Sequence, residues 1–115
     1  MRRLSCRCRG VSTAADVVEY VNGHDHVLVG LLASSWPRLM QEFDTIVDLA
    51  EGHVERCFTR PPRPAILFDN GSWVYAFITG KPERFVGVDL HRGFSSGMVD
   101  PPTLRAMERA CTLIR

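Results

Sequence analysis

The feature that most constrains this chain is Val27-Leu28-Val29-Gly30-Leu31-Leu32-Ala33, a run with no polar side chain. An alternating strand needs cover on one face, whereas an unbroken apolar strand needs cover on both and reads as the centre of a sheet. Directly after it, Ser34-Ser35-Trp36-Pro37 starts a helix. A serine oxygen there accepts from a first-turn amide that has no helical partner, and proline fits the first turn because its missing N–H would be unpaired anyway. A buried strand running straight into a helix calls for a layered α/β fold.

The rest of the chain is read outward from that pair. Ser12 or Thr13 caps a short helix with Ala14, Val17, Val18 and Val21 on one side, closed by a left-handed residue at Asn22-Gly23. After Pro37, apolar residues recur at steps of three or four from Trp36 through Leu39, Phe43, Ile46, Ala50 and Val54 to Cys57 and Phe58, with acids between them. That spacing predicts one long amphipathic helix, stopped by Thr59-Arg60-Pro61-Pro62-Arg63-Pro64.

Three strand signals come next. Ala65–Phe68 and Trp73–Thr79 flank Asp69-Asn70-Gly71-Ser72, and Asn-Gly is the preferred pair for a tight hairpin turn with both central residues at positive φ. A second turn at Gly80-Lys81-Pro82-Glu83 leads to Arg84–Leu90, where Val86, Val88 and Leu90 share a face. The segment 91–99 is rich in glycine and serine and reads as a loop. Asp100 then caps a closing helix with Leu104, Met107, Cys111 and Ile114 as its stripe. The expected architecture is an antiparallel sheet with a three-strand meander packed on one long amphipathic helix, with short helices at both ends.

At 115 residues the chain suits one domain, expected over 12–115 behind a basic, disordered arm over 1–11. Arg2, Arg3, Arg7 and Arg9 lie in that arm, which leaves 10 basic against 13 acidic side chains beyond it, a net −3. A mildly acidic body is a poor match for a phosphate backbone, so nucleic acid is not an expected partner. No run approaches the roughly 18–20 apolar residues that cross a bilayer, so membrane insertion is not expected and a cytoplasmic location is. In that reducing compartment Cys6, Cys8, Cys57 and Cys111 are expected as free thiols.

Candidate chemistry is sparse. Cys6-Arg7-Cys8 with His24 and His26 has the ligand types of a zinc site without the usual spacing. His24 and His26 would share a face on a strand, with His53 or Asp89 to complete a site. The more ordinary reading is surface histidines, so neither metal nor cofactor is expected. His91, Arg92, Ser95 and Ser96 form a candidate ligand loop, either around a serine nucleophile or as an anion nest. No G-x-S-x-G and no phosphate-binding glycine loop occurs, and no catalytic residue is assigned. Trp73, Tyr75 and Phe77 at period two are expected as core or as a surface covered by another subunit.

The order helix, strand, long helix, meander, closing helix resembles the roadblock/dynein light chain family, small α/β proteins related in shape to profilin and longin domains. The resemblance is carried by Leu31-Leu32-Ala33-Ser34-Ser35 entering the long helix, by the meander Ala65–Leu90 and by the closing segment Pro102–Arg109. That family places two strands joined by a turn between its first and second helices, where His24–Ala33 offers one. The resemblance implies a non-catalytic homodimer acting as a platform or regulator for a small Ras-like GTPase or another signalling protein. Trp36, Phe43, Trp73, Tyr75 and Phe77 are the expected interface residues. Two other readings stand beside it. One is a small enzyme or ligand-binding domain with a pocket between meander and long helix closed by the 91–99 loop. The other is an immunity-type inhibitor using Asp44, Asp48, Glu51 and Glu55.

Overall fold

A computed structural model of the chain describes residues 13–60 and 63–113. The arm with Cys6 and Cys8, the Ser12 cap and Ile114 lie outside the described residues. Helix α1 spans Thr13–Gly23, strand β1 Leu28–Ala33 and helix α2 Trp36–Leu49. Strands β2 (Val54–Phe58), β3 (Ala65–Phe68) and β4 (Trp73–Ile78) come after it. A turn of 3-10 helix at Pro82–Phe85, strand β5 (Arg92–Ser96) and helix α3 (Pro101–Ala110) complete the chain.

The sheet has five strands in the order β2-β3-β4-β1-β5. The apolar run takes the interior place its composition demanded, with all of β1 but Leu28 buried. It pairs in parallel with β4 on one side and with β5 on the other. Strands β2, β3 and β4 form an antiparallel meander. The sheet is therefore mixed, not antiparallel as the sequence suggested.

Helices α1 and α2 cover one face. Ala14, Val17, Val18 and Val21 meet Leu39, Phe43 and Ile46 above Val29, Leu31, Ile66, Phe68 and Val74. Fully burying a side chain the size of Phe43 or Ile46 contributes about 1.5–3 kcal/mol, so this layer dominates the fold's stability. Helix α3 and the 3-10 turn cover part of the opposite face with Phe85, Leu90, Ala106, Met107 and Ala110 against Leu32 and Phe77.

The approach of α3 depends on two glycines. Gly30 and Gly93 are direct partners across the β1–β5 pair. A Cβ on Gly93 would stand 2.8 Å from Met107 Cγ and Sδ, and one on Gly30 would stand 2.7 Å from Leu90 Cδ1. Together they form a trough without side chains in which Met107 and Leu90 sit.

Five local expectations are corrected. Helix α2 stops at Leu49, where Glu51 (φ 50°) and Gly52 (φ 89°) turn the chain left-handed, and 54–58 is a strand, not more helix. The segment 84–90 is no strand, because Pro82 starts a 3-10 turn and Gly87 (φ 78°) bends the backbone beyond it, leaving Val86 83% exposed. Residues 92–96 of the expected loop are strand β5. The meander thus exists but lies one strand earlier in the chain. The hairpin between β3 and β4 forms at Asp69-Asn70-Gly71-Ser72, with Gly71 (φ 84°) its only left-handed residue. After α1 the left-handed residue is His26 (φ 56°), not Gly23.

Two polar clasps tie loops to this frame. The Asn70 amide donates to the carbonyls of Val21 and His24 at 2.9 and 3.3 Å. Buried Ser72 accepts from the Val27 amide at 3.1 Å and donates to the His24 carbonyl at 3.2 Å. At the other end of β4, the Asp100 carboxylate takes the Thr79 hydroxyl, the Gly80 amide at 2.8 Å and the Thr103 hydroxyl at 2.6 Å. Asp100 holds the N-cap position of α3 but spends its side chain on this clasp. The Thr103 and Thr79 hydroxyls, with the Gly80 amide, push its carboxyl far below the ordinary range.

Candidate functional site

Helix α3 packs principally over β1, β5 and the 3-10 turn, so its side of the meander is left open beyond Tyr75, which packs against the α3 cluster. The register defines what that open surface carries. Arg56, Leu67, Trp73 and Leu28 form one row across the sheet, and Phe58, Ala65, Tyr75 and Gly30 form the next. The rings stack along this surface. Phe58 and Trp73 lie 6.2 Å apart at 19°, and Trp73 and Tyr75 lie 5.7 Å apart at 4°. Phe58 is 44% exposed, and Leu67, Trp73 and Tyr75 are half-buried. Small Ala65 keeps the centre of the surface low between Phe58 and Tyr75.

An aromatic ladder of this kind can receive apolar or aromatic groups by offset stacking and can accept a cation over a ring face. Arg56 lies in the same row as Trp73, at the rim toward the free edge of β2. The sequence placed Trp73 and Tyr75 here but missed Phe58, which it assigned to a helix. Period-two spacing marks the first two, while Phe58 joins them only through the pairing of β2 with β3.

The other expected interface residues lie elsewhere. Phe43 is 1% exposed and Phe77 5% exposed, each inside a core cluster, so neither is available to a partner. Phe77 stacks instead on Phe85 at 4.0 Å. Trp36 is 37% exposed but stands at the start of α2, away from the ladder. Tyr75 sits on an interior strand, not on an edge.

The candidate ligand loop is taken up by structure. His91 donates its amide to the Leu28 carbonyl at 2.8 Å, and its Nδ1 accepts from the Leu28 amide at 2.9 Å. The imidazole so extends the ladder of the parallel pair, which places the ring proton on Nε2. The Arg92 guanidinium stands 5.5 Å from the Tyr20 ring centre and 5.1 Å from that of Phe94. Buried Ser96 accepts from Arg38 Nε at 3.1 Å, and the Ser95 carbonyl accepts from the Thr13 hydroxyl.

The histidines are dispersed. His24 stacks on Tyr20 at 4.3 Å with its Nδ1 on the Tyr20 carbonyl, while His26 sits over Gly71. Exposed His53 bonds Asp69 at 2.8 Å, and that carboxylate raises the imidazole's pKa. Asp89 accepts from the Thr112 hydroxyl. Among the described residues no three His, Cys, Asp or Glu side chains gather as a metal would require. Burial raises the Cys57 and Cys111 thiols above their ordinary value, which leaves less of the reactive thiolate. No described helix is long and apolar enough to cross a membrane.

No family model, no curated protein and no solved structure matches this chain.

Proposed function

We propose that this chain is a non-catalytic regulatory or scaffold module that works in the cytoplasm as a homodimer, with a second copy seated on the open half of the sheet. The stacked Phe58–Trp73–Tyr75 ladder, which runs outward from the α3 cluster at Tyr75 onto the open half of the sheet, is the observation that carries this reading. A two-fold interface brings the same patch from both copies together, so the patch must complement itself. Parallel rings stack on parallel rings, and Arg56 of each copy finds an aromatic face on the other. The resemblance to the roadblock/dynein light chain family supplies the class of partner, a small Ras-like GTPase or another signalling protein bound by the dimer. In that reading the arrangement is roadblock-like, with β5 standing beside β1 where the family has a second early strand.

The test is solution mass by light scattering across a dilution series, on the full chain and on Trp73→Glu. The expected result is a dimer of the 12.9 kDa chain. The variant should weaken that dimer at least tenfold, about 1.4 kcal/mol, while retaining its circular dichroism. A monomer at every concentration, or a dimer that Trp73→Glu leaves unaltered, would overturn the reading.

A further inference from the structure

The hairpin between β3 and β4 turns on Asn70-Gly71, and that pair carries a chemistry of its own. In an Asn-Gly pair the glycine nitrogen can attack the asparagine side-chain Cγ, because no Cβ hinders its approach. The new C–N bond closes a five-membered succinimide, and Nδ2 leaves as ammonia with the proton from the Gly71 nitrogen. Water then opens the ring at either carbonyl, leaving aspartate or isoaspartate in place of asparagine.

In the folded chain both reacting groups are engaged elsewhere. The Gly71 amide donates to the Phe68 carbonyl at 3.0 Å. Asn70 Nδ2 donates to the Val21 and His24 carbonyls at 2.9 and 3.3 Å, while Oδ1 accepts from the Ser72 amide at 3.1 Å. The main chain is held as well. The Asn70 carbonyl accepts from the His26 amide at 3.3 Å, and the His26 ring lies so close to Gly71 that no Cβ would fit there. Ring closure in place would break the turn's bond at Gly71 and pull the Asn70 amide off two carbonyls. The reaction therefore belongs to an opened state, in which residues 21–27 have parted from the hairpin.

The two carbonyls decide what happens afterwards. Val21 lies in the last turn of α1 and His24 just beyond it, where carbonyl oxygens lack helical donors and the helix dipole is negative. Asn70 brings them a donor from 49 and 46 residues away in sequence. An ionised carboxylate has no proton to donate and sets its charge against both oxygens and the dipole. Isoaspartate also lengthens the main chain of a tight turn by one carbon. Neither product can remake the clasp.

We propose that Asn70-Gly71 is a self-modifying site that latches one way: the closed clasp suppresses deamidation, and deamidation of an opened chain stops the clasp from closing again. The only co-reactant is water. The latch depends on the fold and not on the dimer, and it leaves in each chain a permanent record of having opened.

Peptide mass spectrometry of the full chain, incubated folded and in urea at the same mildly alkaline pH, gives the deamidation rate at Asn70. The folded chain should react at least tenfold more slowly than the unfolded one. Ser72→Ala keeps the Asn-Gly pair but removes the hydroxyl's bonds to Val27 and His24. It should raise the folded rate at least fivefold and leave the rate in urea unchanged. Asn70→Asp reproduces one product. Its amide hydrogen exchange at His26 and Val27 should quicken at least tenfold more than at Met107 in α3. The rate comparison on the parent chain needs no variant, so it stands even where Asn70→Asp fails to fold. Equal rates in the folded and unfolded chain, a Ser72→Ala rate no higher than the parent's, or Asn70→Asp with unaltered exchange at His26 and Val27 would overturn the proposal.

Discussion

The placement of β5 beside β1 under α3 is the least expected part of this fold, and Gly93 tests it. Replacing Gly93 with alanine puts a Cβ 2.8 Å from Met107 Cγ and Sδ and 3.0 Å from its Cε. Carbon atoms rest at about 3.5–4.0 Å, so Met107 must retreat by more than half an ångström or the strand must shift. Overpacking of this kind costs about 1–3 kcal/mol, while alanine recovers about 0.4–1 kcal/mol by restricting the unfolded chain. A net loss of about 1–2 kcal/mol is expected. Met107→Ala, at a side chain 3% exposed, should cost about 2–5 kcal/mol through its cavity. In the double variant the new Cβ enters the space that Met107 vacates. Its cost should therefore fall short of the sum of the two by about 1–2 kcal/mol, whereas independent sites add within about 0.3–0.5 kcal/mol. Urea unfolding at constant slope measures all three losses. Gly23→Ala, where nothing lies within 4 Å, serves as the control without a clash and should gain about 0.4–1 kcal/mol. Strict additivity of Gly93→Ala and Met107→Ala would mean that Met107 does not rest on Gly93, and the β5 placement would fail with it.

Ser72→Ala strips the buried Val27 amide of its partner and takes one of two donors from the His24 carbonyl, which keeps Asn70, and should cost about 1–3 kcal/mol in urea unfolding. A loss under about 0.5 kcal/mol would contradict the clasp, since that is the ordinary scatter of harmless surface changes. Asp100 has a lower pKa folded than unfolded, so its stabilisation is complete above the ordinary carboxylate range and drains away as pH falls toward the lowered value. Asp100→Asn should accordingly flatten the acid limb of a stability–pH profile, and identical limbs would refute the assignment. His53 shifts the other way: its contribution is full below the ordinary imidazole value of 6.5 and is lost as pH rises through the raised folded value. With both partners more than half exposed, that contribution is small. Proton NMR of Asp69→Asn should still show the His53 titration moving to lower pH, and an unmoved curve would sever the pair.

What the sequence disclosed and what it concealed divide along physical lines. The β1 run, the Ser35 cap at 3.3 Å from the Arg38 amide, the β3–β4 hairpin and the closing helix are local signals, and all four form, although α3 ends at Ala110 and leaves Cys111 outside the expected stripe. The end of α2 was also local, written in Glu51-Gly52, but Val54 and Phe58 continue the helical spacing by coincidence across the break. β2 has no buried apolar face of its own, so only its pairing with β3 reveals it. Gly93-Phe94-Ser95-Ser96 has the composition of a loop. It is a strand because β1 needs a second neighbour and because Met107 needs a residue without a side chain. At the candidate site, Trp73 and Tyr75 were legible by their alternation, whereas Phe58 became adjacent to them only through tertiary pairing. Phe43 is equally aromatic but its place in the helical stripe already pointed inward, whereas Phe77 shares the alternation of Trp73 and Tyr75, and spacing alone did not tell its burial from their exposure.

The central position of β1 also governs how this chain comes into being. Its hydrogen-bonding neighbours arrive late: Leu28 faces Trp73, and Val29 faces Arg92. During synthesis the most apolar segment of the protein must therefore wait, with both edges unpaired, until most of the remaining chain has emerged. Long-range pairing of this kind slows folding and prolongs the exposure of sticky strands. Helices α1 and α2 flank β1 in sequence and pack against each other, and among the described residues they are the shelter that emerges early, so a nascent chain halted before Trp73 should depend on chaperones far more than the finished protein does.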